Sequence, residues 1–396
     1  MSIEEKNIQE TKKRLEKWWN NEETDRPCIG FNYPYYGKKV STVSEVMEFF
    51  IPFCLAKHPD GIEQCLDRFE ELKEKIYSGG DNLYSYFPNY GAGAPAAILG
   101  IEPEYRKGSD KYGIMSETVW YRGEISANNI VSHLKDIKLD ESNVWYSRYL
   151  KITEYAAKRA RKDYTIAVLD LGGVLDVLSS LMGPQNIILT MKRKPEIIDE
   201  ACSLVLEKML ILYDNLQGII DQYCDGSDSW LNLWCPTHYY PVQCDFAAML
   251  NPKWFKRFAL PYIKEQAEHM DHAIYHLDGE NQLVHLDDLL ALECIDGIQW
   301  VPGAGKTITA SYEWMPLYKK IQAAGKKIDL NAFEDPTLIK DFYEKLDPRL
   351  LYISCFFLDR FRAEFYLPEF VGGMEGKGNF RQHKRKRKKE MKEKGL

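Results

Sequence analysis

Residues 272–302 read HAIYHLDGENQLVHLDDLLALECIDGIQWVP, and this stretch decides the fold. Two short apolar runs, 273–275 and 297–301, are each bounded by turn-forming or charged residues, the pattern of buried strands. Between them a loop at 277–280 leads into Leu283, Leu286, Leu289 and Leu290, which recur at helical spacing. A strand–helix–strand unit implies parallel strands joined by a right-handed crossover. The polar cluster His276-Leu277-Asp278-Gly279-Glu280 falls where the first strand ends, and Trp300-Val301-Pro302-Gly303 where the second ends. In parallel α/β proteins that edge of the sheet carries the chemistry.

The same alternation extends to both sides. Upstream, the pattern predicts a helix over 3–20 ending in Trp18-Trp19, a short strand at 28–32, and two helices within 40–76. A loop-rich aromatic stretch follows, with Tyr84, Tyr86, Asn89, Tyr90 and Gly91, then an edge strand at 118–121 and a helix over 139–161. A strand at 165–169 runs into Asp170-Leu171-Gly172-Gly173 and a helix over 174–182. A long helix over 195–216, a strand at 229–234 and a helix over 251–270 come next, the last with Pro252 where its missing N–H costs nothing. Downstream lie a strand at 327–330, a helix over 336–346 and a strand at 352–357. At least six strand-then-helix repeats predict an α/β protein, a single (β/α)8 TIM-type barrel over 81–372 with an α-helical N-terminal extension over 1–80. No GxGxxG loop or P-loop follows any strand, which counts against an open nucleotide-binding sheet.

A chain of 396 residues, 45% apolar, has ample material for one large core. No apolar run approaches the ~20 residues of a membrane span, and the first helix is charged. Nine cysteines without paired spacing predict reduced thiols and a cytoplasmic location. The net charge of −7 hides an asymmetry: ten basic and two acidic residues between Lys377 and Lys394 leave the rest near −15. The tail at 373–396 is expected to be solvated and disordered. An acidic body argues against nucleic acid as a partner.

Several stretches, in order, resemble the uroporphyrinogen decarboxylase-like family, in its branch of cobalamin-linked methyltransferase relatives. They are Trp18-Trp19 with Asp25-Arg26-Pro27; Phe87-Pro88-Asn89-Tyr90-Gly91; Gly183-Pro184-Gln185-Asn186 before Lys194-Pro195-Glu196; Gln243-Cys244-Asp245-Phe246 with Asn251-Pro252; Tyr275-His276-Leu277-Asp278-Gly279; and Gly297-Ile298-Gln299-Trp300-Val301-Pro302-Gly303. The resemblance covers roughly residues 15–370 and implies one (β/α)8 barrel and transfer of a methyl group. The methyl would pass between a corrinoid, carried on a partner protein, and a small-molecule donor or acceptor. Decarboxylases of the family carry an arginine-rich signature that this chain reduces to Arg26. The methyltransferase branch holds zinc with a His-x-Cys pair and a distant Cys; here the pair reads His276-x-Asp278, and the distant Cys is Cys355.

Alternation lets His276 and Asp278 converge on one side of a strand. With Cys355 they form an expected zinc set, since imidazole, carboxylate and thiolate all bind zinc. Asp170 and Asp245, at strand-end and loop positions, are candidate acid/base or orienting groups alongside Asp278 and Trp300. Asn89, Tyr90 and Trp230 are the candidates for contact with the cofactor, and Tyr84, Tyr86 and Trp120 for the wall of an apolar pocket. Cys235 and His238 form a second, weaker pair. Two other readings stand beside methyl transfer. One is a decarboxylase or other lyase, which needs converging Arg or Lys residues; the other is a ligand-binding barrel without chemistry.

Overall fold

The computed structural model describes residues 3–35, 43–107, 117–161, 163–303, 305–332 and 336–367, so the basic tail at 373–396 lies outside the described residues. Its strands are β1 (Cys28–Pro34), β2 (Ile76–Gly80), β3 (Ser85–Tyr86), β4 (Pro103–Lys107), β5 (Glu117–Tyr121), β6 (Thr165–Ile166), β7 (Tyr239–Gln243), β8 (His272–Asp278), β9 (Gly297–Val301), β10 (Lys327–Asn331) and β11 (Leu351–Phe356). Seven form one sheet in the order β2-β1-β11-β10-β9-β8-β7. Every pairing in it is parallel except β1 with β2. A parallel two-stranded ladder joins β3 to β6, and an antiparallel one joins β4 to β5. The fold is therefore α/β with a mostly parallel seven-stranded sheet. No ladder among the described residues closes that sheet upon itself. The amino-terminal segment is woven into the sheet, because β1 and β2 both come from residues 1–80.

Strand alternation sorts the sheet into two faces. On one, Tyr275, Leu277, Ile298, Trp300, Ile328, Leu330, Ile353 and Cys355 join the main apolar cluster, which includes buried faces of helices Val174–Met182, Pro195–Ile220 and Met315–Ala323. On the other lie His276 and Asp278 of β8, with Gln299 of β9 and Asp329 of β10 in register beside them. At the amino-terminal ends of the strands this second face is plugged. Trp18 and Trp19, from the helix Ile3–Trp19, are fully buried among Cys28, Tyr239, Ile274 and Tyr352. The Trp19 indole N–H donates to the Trp234 carbonyl at 3.0 Å, and its ring lies 5.0 Å from that of Tyr239.

Several elements depart from the sequence reading. The strand expected at 229–234 is a turn, with Asn232 at φ 54°, and the strand lies ten residues later at Tyr239–Gln243. Pro241 hid it, because a residue without an N–H is tolerated only where no ladder bond is needed, and β7 is an edge of this sheet. The helix expected over 251–270 is two, Pro252–Phe258 and Leu260–Glu268, broken where Pro261 removes a donor. Cys54 and Cys65 form a disulfide, correcting the expectation that all nine thiols are reduced. Their eleven-residue separation spans the short helix Cys54–Lys57 and a turn into Ile62–Lys73, which brings the Cα atoms to 5.6 Å.

Candidate active site at the carboxy-terminal edge of the sheet

β8 continues through Asp278, two residues beyond the loop boundary expected from sequence, so His276 and Asp278 are strand residues on one face. Gly279 then turns the chain at φ 90°, its N–H bonded to the Val301 carbonyl at 2.8 Å. Alongside, β7 ends at Gln243, and Cys244 leads into the 3-10 helix Asp245–Met249. One carboxylate oxygen each from Asp245 and Asp278 and one ring nitrogen of His276 lie within 4.8 Å of one another. Asp245 is exposed, and the other two are half-buried.

Gln299, the register partner of His276, presents its amide oxygen 2.5 Å from His276 Nδ1. An amide oxygen only accepts, so Nδ1 is the donor of this bond, and in the neutral imidazole the lone pair lies on Nε2. The Trp230 ring meets the imidazole edge to face at 5.0 Å. Two contacts therefore orient His276 in the way a metal-binding or proton-accepting imidazole requires.

Carboxylates surround this group. Asp170 ends the extended segment after β6; its Oδ1 accepts from the Gly172 N–H at 2.9 Å and from Gln243 Nε2 at 3.4 Å. Burial pushes its pKa up to about 6, against the opposing pull of the Gly172 N–H and of His276. Asp245 keeps an open edge, but desolvation of its carboxyl, then the negative charges of Asp278 and Asp170, hold it above the ordinary range. Asp176, in the first turn of Val174–Met182, is raised by burial and by the nearby Asp245. Three carboxyl groups near one imidazole, with that of Asp176 behind Asp245, make an electronegative mouth suited to a cation. A fifth, Asp329, lies deeper on the same face, 2% exposed; burial raises it to about 7, and its Oδ1 has no hydrogen-bond partner.

The structure does not bring Trp300 and Cys355 into this set. Both alternate onto the opposite face: Trp300 is fully buried 5.1 Å from the Trp314 ring, and the Cys355 thiol donates to the Gly30 carbonyl at 3.6 Å. Burial also raises the Cys355 pKa, disfavouring the thiolate that a metal needs. Asn89 spends its side-chain oxygen on the Gly91 N–H at 2.7 Å, and buried Tyr90 donates to the Pro59 carbonyl at 2.9 Å. Of the three residues expected to contact the cofactor, Trp230 alone meets His276. Tyr86 is core, while Trp120 stands 46% exposed on β5. Cys235 and His238 precede β7, at the end of the sheet away from Asp245; His238 pairs with Asp221 at 2.9 Å. Arg26 likewise precedes β1, where it and Arg14 grip the buried Asp81 at 2.5 and 2.9 Å. The arginine on which a polycarboxylate reading rests is thus committed at the opposite end of the sheet.

Sequence reasoning missed Gln299, Gln243, Asp176 and Asp329. The first was legible: if Trp300 packs outward, Gln299 must face His276 across neighbouring strands. The donor set of one imidazole and two carboxylates, without thiolate, fits zinc and other divalent cations of comparable hardness.

No family model matches the chain, and no curated protein sequence matches it. Among solved structures, a methyltransferase from Methanosarcina mazei has the same fold at a TM-score of 0.54, with 14% identity over 88% of this chain and 94% of that one.

Proposed function

We propose that this protein is a methyltransferase of the uroporphyrinogen decarboxylase-like type. It moves a methyl group between a corrinoid on a partner protein and a small donor or acceptor held at the carboxy-terminal edge of the sheet. The observation that carries this reading is the convergence of Asp245, His276 and Asp278 at that edge, in a fold shared with a solved methyltransferase. In the same reading β3 and the 165–170 segment complete a (β/α)8 barrel. The Ala167 N–H on the Tyr86 carbonyl and the Val168 N–H on the Asp228 carbonyl support that completion.

Asp245, His276 and Asp278 hold a divalent metal, zinc in the first instance, leaving at least one position for substrate. Such an ion supplies Lewis acidity to the substrate heteroatom that gains or loses the methyl group. The chain does the rest. Gln299 fixes the imidazole tautomer, and Trp230 shields one edge of the ring from water. Asp170, with a pKa near 6, takes or returns the proton as the heteroatom changes charge. Exposed Met249 and Val284, on the adjoining 3-10 helices Asp245–Met249 and Glu280–His285, form part of the rim that a corrinoid-bearing partner would cover.

Two measurements test the reading. Elemental analysis after zinc supplementation should find bound metal, and His276→Ala should lose it. Incubation with methylcobalamin and a panel of thiols, or with reduced corrinoid and methyltetrahydrofolate, should change the corrinoid spectrum. A spectrum unmoved by every combination would overturn methyl transfer, whatever the metal content.

A further inference from the structure

Asp176 does something that its place in the sequence does not suggest. It sits in the first turn of the helix Val174–Met182, where an acidic side chain ordinarily caps its own helix. Here its carboxylate, besides a contact with the Gly173 backbone at the start of its own helix, reaches across to a segment 70 residues away. Oδ2 accepts the backbone N–H of Asp245 at 2.9 Å, and Oδ1 accepts that of Phe246 at 2.7 Å. These are the first two residues of the 3-10 helix Asp245–Met249, whose leading N–H groups have no partner within their own helix. The contact is tight on the other side as well. A Cβ on Gly173 would stand 2.5 Å from Asp176 Oδ2 and 2.2 Å from the Gln243 carbonyl oxygen, so only glycine lets the two loops approach. Phe246 and Cys244 are buried on either side of Asp245, which alone turns outward to His276 and Asp278.

We propose that Asp176 is the positioning residue of the metal site: it fixes the backbone that delivers the Asp245 carboxylate, and without it the site loses Asp245 as a ligand. The proposal rests on the metal site proposed above and assigns a residue outside the ligand set. Asp176 is not a catalytic residue, because it acts through the backbone of Asp245. It also brings a fourth carboxylate to a cationic centre, so its charge and its geometry must be separated. Asp176→Asn removes the charge and turns one acceptor into a donor facing an N–H. Asp176→Glu keeps the charge but displaces both oxygens.

The experiment loads wild type, Asp176→Asn, Asp176→Glu and Asp245→Asn with Co2+ and reads the visible d–d absorption and the dissociation constant. Both Asp176 variants are expected to bind about 10- to 100-fold more weakly, the usual cost of losing an orienting contact behind a ligand. Their spectra should match that of Asp245→Asn, and in the Asp245→Asn background neither should weaken binding further. Wild-type binding and spectrum in Asp176→Glu, or an undiminished effect in the Asp245→Asn background, would overturn the positioning role. Failure of the wild type to bind Co2+ would instead remove the metal site, and this proposal with it. Deuterium uptake across 240–250 of the metal-free protein gives an independent reading. Faster exchange there in Asp176→Asn, with circular dichroism unchanged, is expected; unchanged exchange counts against the role. Should both Asp176 variants fail to fold, Gly173→Ala presses on the same contact from the opposite loop and should weaken Co2+ binding in the same way.

Discussion

Ser354 and Cys355 are neighbours in sequence but lie on opposite faces of β11, and much of the site depends on that parity. Cys355→Ala should leave bound metal unchanged, because the thiol lies in the apolar layer behind the sheet. It should cost about 1–2 kcal/mol of stability, as small truncations in a packed core do. A loss of metal in this variant would return Cys355 to the ligand set. Asp329 gives a prediction in pH. Its pKa when folded, about 7, exceeds the ~3.9 of an unfolded aspartate, so the folded state binds the proton more tightly. That contribution is fully present below about pH 4 and is lost as pH rises towards 7, to an upper limit of about 4 kcal/mol. Asp329→Asn lacks the penalty. Urea melts at pH 5 and pH 8 should show its stability gaining on wild type as pH rises; a constant difference would mean that Asp329 has partners in solution. Of the residues singled out from sequence, Asp170, Asp245, His276 and Asp278 lie at the carboxy-terminal edge. Trp300 and Cys355, also near strand ends, point to the opposite face, a parity that weighing strand ends alone does not count.

At the scale of elements, periodicity found most helices and strands but not where they break. The loop expected at 277–280 begins too early, because the apolar run ends at Tyr275, yet backbone pairing with β9 carries the strand on to Asp278. Strand β7 was missed because Pro241 and Gln243 look unlike strand residues, although an edge position tolerates the first and an inward polar face uses the second. The disulfide could not be read from spacing, since it depends on a helix–turn–helix folding back on itself. It makes a countable prediction: unreduced, denatured protein should accept seven alkylating equivalents, one for each of the seven free cysteines. Cys54→Ser should lower stability by up to about 3 kcal/mol, the chain-entropy value for so short a loop. Nine equivalents would show both thiols free, and the variant should then melt with wild type.

Across the whole molecule, the opening motif settled the fold class, because parallel strands with helical crossovers leave few arrangements. The sheet's order was beyond it. Nothing in residues 28–34 announces that β1 will lie between β11 and β2, since that depends on a pairing made over the full length of the chain. Cys28 pairs with Tyr352, and Trp18 and Trp19 find their cavity only among residues near 239, 274 and 352. The protein is made from its amino terminus onward, at roughly 5–20 residues per second. Two tryptophans and one open edge of β1 therefore emerge first and wait tens of seconds for the last strand that covers them. Throughout that interval the nascent chain carries an exposed sticky end, so a ribosome stalled before β11 should release a product that aggregates or recruits a chaperone.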